Sequence, residues 1–368
     1  MKVTIGPIEG YYGGAAQHIL NIIRYSSNDF EKIEVPNSLK AWGGFFRKYI
    51  LPIQRTLPHK IEHNEKRFDM YGLQKLLDFP GFYLSRFKFQ TSDVIHLHGY
   101  PYWENIYETN SPNLVYTIHN LYNKLDFPKN WSRTIDRLTS KLVDTCKRAA
   151  TVISVSKWLQ KDLKMKHGID SVFIPNGVSL EEFENANGDS FRKKYKINED
   201  FYLFVGRSTR YKRPELFIEL AEIMPKRQFV MIGRGLSKRA LVEYIRREVP
   251  NNLFCIEEPS REDVINAFDA CRAFVLASSN ETFGIVLLEA MVLGKNVVAA
   301  NNLGPSEIIT HGTNGLLFEP DNLKSLTDAA NVAWNNSEIG QAAREMVNSK
   351  YDWKKIVPQI DELYERVK

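Results

Sequence analysis

The amino-acid sequence predicts an α/β protein built from two doubly wound domains. Short apolar runs alternate with longer amphipathic segments from Lys2 to Ile174, stop at Pro175-Asn176-Gly177, and start again at Phe201. Such a rhythm belongs to parallel strands joined by helices, and the Pro-Asn-Gly punctuation divides it into two blocks. Runs such as FYLFV and VVAA are apolar throughout, as suits strands covered on both faces. A length of 368 residues suits about two domains. We expect these to be residues 1–177 and 178–350, followed by a C-terminal helix over 351–368.

In the first block, Lys2 to Ile5 is the opening strand, and a helix is expected from about Ala15 through Ile23. Gly13 and Gly14 lie between them. Paired glycines there let a phosphate or sugar approach the backbone, although a plain tight turn needs them equally. The dinucleotide spacing G-x-G-x-x-G is not matched at this loop. Residues 31–92 show no clear period. Aromatics alternate there with Arg and Lys, in AWGGFFRKYILPIQR and FPGFYLSRFKFQ. Helices packed on their own domain, or resting on a membrane surface, would look like this. Asp93 to His98 and Leu114 to Ile118 read as buried strands that run out into His98 and His119. Open α/β sheets bind ligands at that end of their strands. One histidine there is ordinarily structural; two at neighbouring strand ends are functional candidates. Helix 133–149, strand 151–155, helix 158–167 and strand 171–174 complete the block.

The second block opens with strand 201–205, the loop GRSTRYKRP and a helix started by Pro214 at its favoured first position. Strand 228–232 ends at Gly233-Arg234-Gly235, helix 236–248 follows, then strand 253–256 and helix 261–271. Next comes the most informative stretch, a strand from Ala273 to Ala277 and then residues 278–304. A helix should begin at Thr282-Phe283-Gly284 and stop at Gly294, ahead of strand 296–300. Its start exposes unpaired N–H groups at the carboxyl end of a strand, an anion site by construction. Glu281 and Glu289 punctuate this unit, separated by about 10 Å at the helical rise per residue. That spacing suits gripping two ends of one extended ligand, although a solvated loop residue and a surface helix residue would read the same. A strand at 315–318, a helix from Leu323 to Trp334 and a last helix from Trp353 end the chain.

Composition narrows the class. Cys146, Cys255 and Cys271 are far apart and show no metal-ligand spacing, which suits a reducing compartment. MKVTIGPIEG runs straight into a strand, so a secretory leader is not expected, and no apolar stretch is long enough to span a bilayer. Charge is uneven. Residues 1–175 hold 24 Lys and Arg against 16 Asp and Glu, whereas the remainder holds 25 against 28. A basic first half suggests an anionic partner, but no recognised nucleic-acid module accompanies it.

Several motifs together resemble the retaining family-four glycosyltransferases with the GT-B fold. They are GRSTRYKRP (206–214), ETFGIVLLEAMVLGKNVVAA (281–300) and SEIITHGTNGLLFEPDN (306–322), with the Gly13-Gly14 loop, DVIHLHG (93–99), YTIHN (116–120) and IPNGV (174–178). The likeness covers nearly the whole chain outside residues 31–92. It implies two Rossmann-like domains facing across a cleft, with the C-terminal helix crossing back to the N-terminal domain. It also implies a nucleotide-diphosphate sugar as donor, held mainly by the C-terminal domain, and a glycan or lipid-linked acceptor. Carried over by position, Arg207 and Lys212 would bind the diphosphate, Glu289 the ribose hydroxyls, and Glu281 would lie near the donor sugar. Backbone N–H groups at Thr282, Phe283 and Gly284 would hold phosphate or sugar hydroxyls. His119 would face the reacting sugar, with Gly13 and Gly14 beside the phosphates.

No D-x-D motif occurs, so neither a metal clamp nor another cofactor is expected; the two cations would replace it. Asn120 stands where many relatives carry aspartate and Thr282 where glycine is common, which bears on substrate preference. Gly233-Arg234-Gly235 resembles the family's glycine pair and is assigned a close-approach role. Nucleotide-sugar epimerases share the fold and need no acceptor, and a silent sugar-nucleotide-binding subunit is a further alternative. The expected location is the cytoplasm, with the basic, aromatic-rich N-terminal domain peripheral on the membrane's cytoplasmic face.

Overall fold

The computed structural model describes residues 1–6, 14–33, 92–99, 112–121, 132–336 and 338–368. The aromatic and basic segments expected to touch a membrane, and Gly13, lie outside these. Two compact units divide the described chain. One holds Met1–Ser154, Asp162–Val172 and Ile360–Lys368; the other holds Val155–Lys161 and Phe173–Gln359.

The first sheet is built from β1 (Lys2–Gly6), β2 (Asp29–Lys32), β3 (Val94–Gly99), β4 (Leu114–Ile118), β5 (Thr151–Ser154) and β6 (Val172–Phe173). Their order is β2-β1-β3-β4-β5-β6, and the pairings from β2 to β5 are parallel. Helices α1 (Gly14–Tyr25), α2 (Ser132–Arg148) and α3 (Lys157–His167) are interspersed. Val3, Ile5, Val94, Leu97, Val115 and Ile118 are buried, as are Ile19 and Ile22 of α1. Helix α3 starts with two caps. Ser156 Oγ accepts the Leu159 N–H at 3.2 Å, and the Glu307 carboxylate accepts the N–H groups of Lys157 (2.9 Å) and Trp158.

The second sheet contains β7 (Phe201–Val205), β8 (Gln228–Ile232), β9 (Leu253–Ile256), β10 (Ala273–Leu276), β11 (Asn296–Ala300) and β12 (Leu316–Phe318). All its pairings are parallel, in the order β12-β11-β10-β7-β8-β9. The order reverses between β7 and β10, so a crevice opens where their carboxyl-end loops part. Nine helices accompany this half among the described residues: α4 (Gly188–Tyr195), α5 (Pro214–Ile223), α6 (Lys238–Ile245), α7 (Arg261–Ala270), α8 (Ile285–Val292), α9 (Pro305–Ile308), α10 (Leu323–Asn335), α11 (Glu338–Lys350) and α12 (Trp353–Val367). Tyr202, Phe204, Phe217, Phe229, Met231, Val275, Val298 and Trp334 form part of one core cluster.

Most element ends have local causes. Pro214 occupies the first turn of α5, as expected. Ser260 and Asp263 close a reciprocal capping box on α7. Helix α8 ends in a Schellman motif: Gly294 takes φ +68°, its N–H reaches Met291 O at 2.9 Å, and the Lys295 N–H reaches Ala290 O at 3.1 Å. Two expectations are corrected in extent. Helix α6 begins after Ser237, whose side chain caps Ala240 N–H, and stops at Arg246 in the left-handed region; Leu236 is buried but precedes the helix. The strand expected over 171–174 shrinks to Val172–Phe173.

The end of α12 completes the first unit. Tyr364 is fully buried with its hydroxyl 2.6 Å from His96 Nδ1. Asp361 accepts from Ser26 Oγ at 2.6 Å and from Asn28 Nδ2 at 2.9 Å.

Candidate functional site

Three strand-end loops meet at the switch point of the second sheet. They follow β7 (206–213), β8 (233–237) and β10 (277–284). The Ser208 N–H donates to Arg234 O at 3.0 Å, and the N–H and hydroxyl of Ser279 donate to Tyr211 O at 2.8 and 3.3 Å. Gly233 is what lets the first two loops touch. Its φ is +139°, and a Cβ there would lie 1.7 Å from the Gly206 carbonyl oxygen.

Lys212 and Glu281 meet across these loops, with Nζ 2.5 Å from Oε2. Their side chains are only 13% and 17% exposed, so neither charge is well hydrated. Burial works against the Lys212 ammonium, but the adjacent Glu281 outweighs it and holds the lysine above its usual pKa. Arg207 is exposed, with Nη2 3.4 Å from the Tyr211 hydroxyl. The result is two cations and one carboxylate on adjoining loops.

Thr282, Phe283 and Gly284 form a buried shoulder before α8. Gly304 backs it closely: its N–H donates to Glu281 O at 3.0 Å, and a Cβ would meet Thr282 O at 2.4 Å. The helix starts at Ile285, later than the sequence suggests, because Gly284 takes φ +97° as its cap. Glycine has no side chain to satisfy the first-turn N–H groups, so they keep their affinity for an anion.

Glu289 is not a surface residue. It is 6% exposed, and its Oε1 lies 2.7 Å from Arg261 Nη1. Burial pushes its carboxyl upward in pKa, and Arg261 opposes that shift. The same guanidinium makes a bidentate pair with Glu182, at 2.8 and 2.9 Å. Burial disfavours the Arg261 charge, yet Glu289 and Glu182 together hold its pKa above the ordinary arginine value. Glu281 and Glu289 thus answer to different cations.

Within the first unit, a histidine cluster lies at the carboxyl ends of β3 and β4. His98 Nδ1 lies 3.0 Å from His119 Nε2, and the two rings stack at 5.3 Å. The His18 ring, from α1, meets His119 edge-on at 4.8 Å. His96 is tied on both sides, to Tyr364 and to Thr117 Oγ1 at 2.7 Å. Burial, then the neighbouring imidazoles, depress the pKa values of His96, His98 and His119 well below the ordinary value, so these rings are neutral at pH 7. Ligand atoms of His18, His98 and His119 lie within 4.8 Å of one another, close enough to hold a metal ion. The nitrogens that His98 and His119 turn to each other are already engaged in their mutual hydrogen bond. Gly14 is the first residue of α1.

Of the residues singled out in the sequence, Lys212 and Glu281 are therefore paired, and Thr282, Phe283 and Gly284 lie beside them. His119 belongs to the other compact unit. The sequence motifs do not mark Arg261, Glu182 or His18. His18 lies four residues after Gly14 on a helix, a spacing that leads to it from the glycine loop. Arg261 and Glu182 stand 79 residues apart, and no local pattern links them.

Comparison with known proteins bears on the family and the fold. The family described as Glycosyl transferases group 1 matches residues 188–353, and Glycosyltransferase Family 4 matches residues 12–182. An uncharacterized glycosyltransferase of Methanocaldococcus jannaschii is 30% identical over 223 residues, 59% of this chain and 59% of that relative. This chain therefore matches less than two thirds of that relative's length. The O-antigen chain mannosyltransferase C of Escherichia coli is 22% identical over 80% of this chain and 79% of its own length. Among solved structures, Anabaena HepE in complex with UDP and glucose aligns over 100% of both chains at TM-score 0.70 and 19% identity, a likeness of fold. Together, the two adjoining family matches and the paired parallel sheets show that the chain belongs to the family-four glycosyltransferases of GT-B fold.

Proposed function

We propose that the chain moves a sugar from a nucleotide-diphosphate donor to an acceptor hydroxyl, with retained anomeric configuration and without a metal. The observation that carries this reading is the Lys212–Glu281 pair, set beside Arg207 and the uncapped start of α8 at the switch point. Breaking the bond from the anomeric carbon to phosphate loads negative charge onto the diphosphate. Lys212, Arg207 and the first N–H groups of α8 are already placed to stabilise that charge. The new bond forms on the same face of the sugar, and the acceptor's proton passes to the departing diphosphate oxygen. Glu289 accepts the ribose hydroxyls. Glu281 orients Lys212 and lies near the sugar, and neutral His119 polarises the sugar by a hydrogen bond.

The acceptor is a glycan or a lipid-linked glycan, a choice supported by relatives named for O-antigen and capsular polysaccharide synthesis. The excess of cations in residues 1–175 favours a peripheral stance on an anionic membrane face. A thermal-shift panel of UDP, GDP, ADP and their sugars tests the reading. One nucleotide at 100 times its Kd should add about 2.7 kcal/mol of stability. A flat response to every nucleotide at millimolar concentration would remove the donor assignment.

A further inference from the structure

Glu289 is a carboxylate with little water around it, and such a group is costly to bury unless paired. Its partner, Arg261, is the first residue of α7. The rest of that guanidinium is committed elsewhere. Its Nε and Nη2 donate to the two oxygens of Glu182 at 2.8 and 2.9 Å, and its carbon lies 5.6 Å from the centre of the Phe183 ring. A planar fork gripped along one edge by a carboxylate cannot rotate freely. Its remaining corner, Nη1, therefore points to one place, and Glu289 is there.

We propose that Arg261 is a positioning residue for nucleotide recognition: anchored by Glu182, it holds the Glu289 carboxylate in the one orientation that accepts the two ribose hydroxyls of a nucleoside diphosphate. This rests on the reading of Glu289 as the ribose acceptor. A vicinal diol offers two O–H donors, and an ionised carboxylate is a pure acceptor that matches them. A glutamate left to itself would lose side-chain freedom on binding; one already held gives that up in the free protein. Arg261 also opposes the effect of burial, which pushes the pKa of the carboxyl upward. Lysine cannot substitute, because a point charge reaches Glu182 or Glu289 without spanning both at fixed angles.

The test is titration calorimetry of UDP, GDP and their 2′,3′-dideoxy analogues against the wild-type chain and the variants Glu289→Ala, Arg261→Ala, Arg261→Lys and Glu182→Gln. Thermal midpoints are recorded alongside. The wild type should favour the ribose form of its preferred nucleotide by about tenfold or more, and Glu289→Ala should bring that ratio near one. Both Arg261 variants should lower the ratio by at least about fivefold while affinity for the dideoxy form stays within about twofold. Glu182→Gln should fall between them and the wild type. A merely structural role would weaken both forms alike and leave the ratio unmoved. Folded Arg261→Lys with the wild-type ratio overturns the proposal, and this variant decides the matter if Arg261→Ala fails to fold. If the wild type binds neither nucleotide, or Glu289→Ala keeps the ratio, the reading of Glu289 itself fails and the inference falls with it.

Discussion

Lys212 is a poorly hydrated ammonium ion-paired with Glu281, which sets how its removal should read out. Replacing it by alanine would delete the contact to the diphosphate proposed above and strand a half-buried carboxylate. We expect Lys212→Ala to lower kcat/KM under limiting donor by about ten- to a hundredfold, the equivalent of about 1.5–3 kcal/mol. Arg207→Ala should lie towards the lower end, because Arg207 is exposed and water screens its charge. Wild-type rates in both would sink the assignment. The histidines make a prediction of a different kind. His96, His98 and His119 are held neutral by burial and return to the usual imidazole value of about 6.5 on unfolding. Below that pH the unfolded chain binds more protons than the folded one. Stability should be level above about pH 7 and fall as the pH drops from about 6.5, by up to about 1.4 kcal/mol per pH unit for each histidine. Urea midpoints from pH 7.5 to 5 check this; a flat profile would contradict the burial argument. At this scale the sequence is informative where chemistry clusters in one short segment, as at 281–289. It is silent where partners come from remote segments, as with Glu182 and Arg261.

The elements follow the sequence closely wherever burial is complete. β7, β8 and β11 span the segments expected of them, since nearly every residue in each is buried. Helices α4 and α11 are not evident in advance. GDSFRKKY is dominated by polar residues, and EIGQAAREMVNSK spreads its few apolar groups thinly, so neither shows a strong period. Their caps are the readable part: Asn187 accepts from Ser190 N–H, three residues on. Two substitutions test the element ends. Ser260→Ala removes half of the capping box on α7 and should cost about 1 kcal/mol in denaturant unfolding. Gly233→Ala should cost more than Ser260→Ala and should also weaken nucleotide binding, because the new Cβ would drive the loops after β7 and β8 apart. An alanine variant with unchanged stability would mean that the two loops are free to separate.

For the molecule as a whole, the fold class is legible because two blocks of strand–helix alternation survive without any knowledge of contacts. No helix among the described residues is long and apolar enough to cross a membrane. We expect the chain to sediment with anionic vesicles at low salt and to release at high salt, where charges are screened. Indifference to such vesicles at low ionic strength would rule out the peripheral stance. On the proposed reading, in which Lys212 and Arg207 take the place of a metal, activity should survive EDTA; complete, metal-reversible loss would overturn it. The last turns of α12 carry a separate consequence, one of timing. Tyr364 and Asp361, which close over His96, Ser26 and Asn28, are synthesised after every strand of the second sheet. Units ordinarily mature in the order of their synthesis. Here the half made first waits for α12, so the second sheet can be finished while the first still lacks its closing side chains.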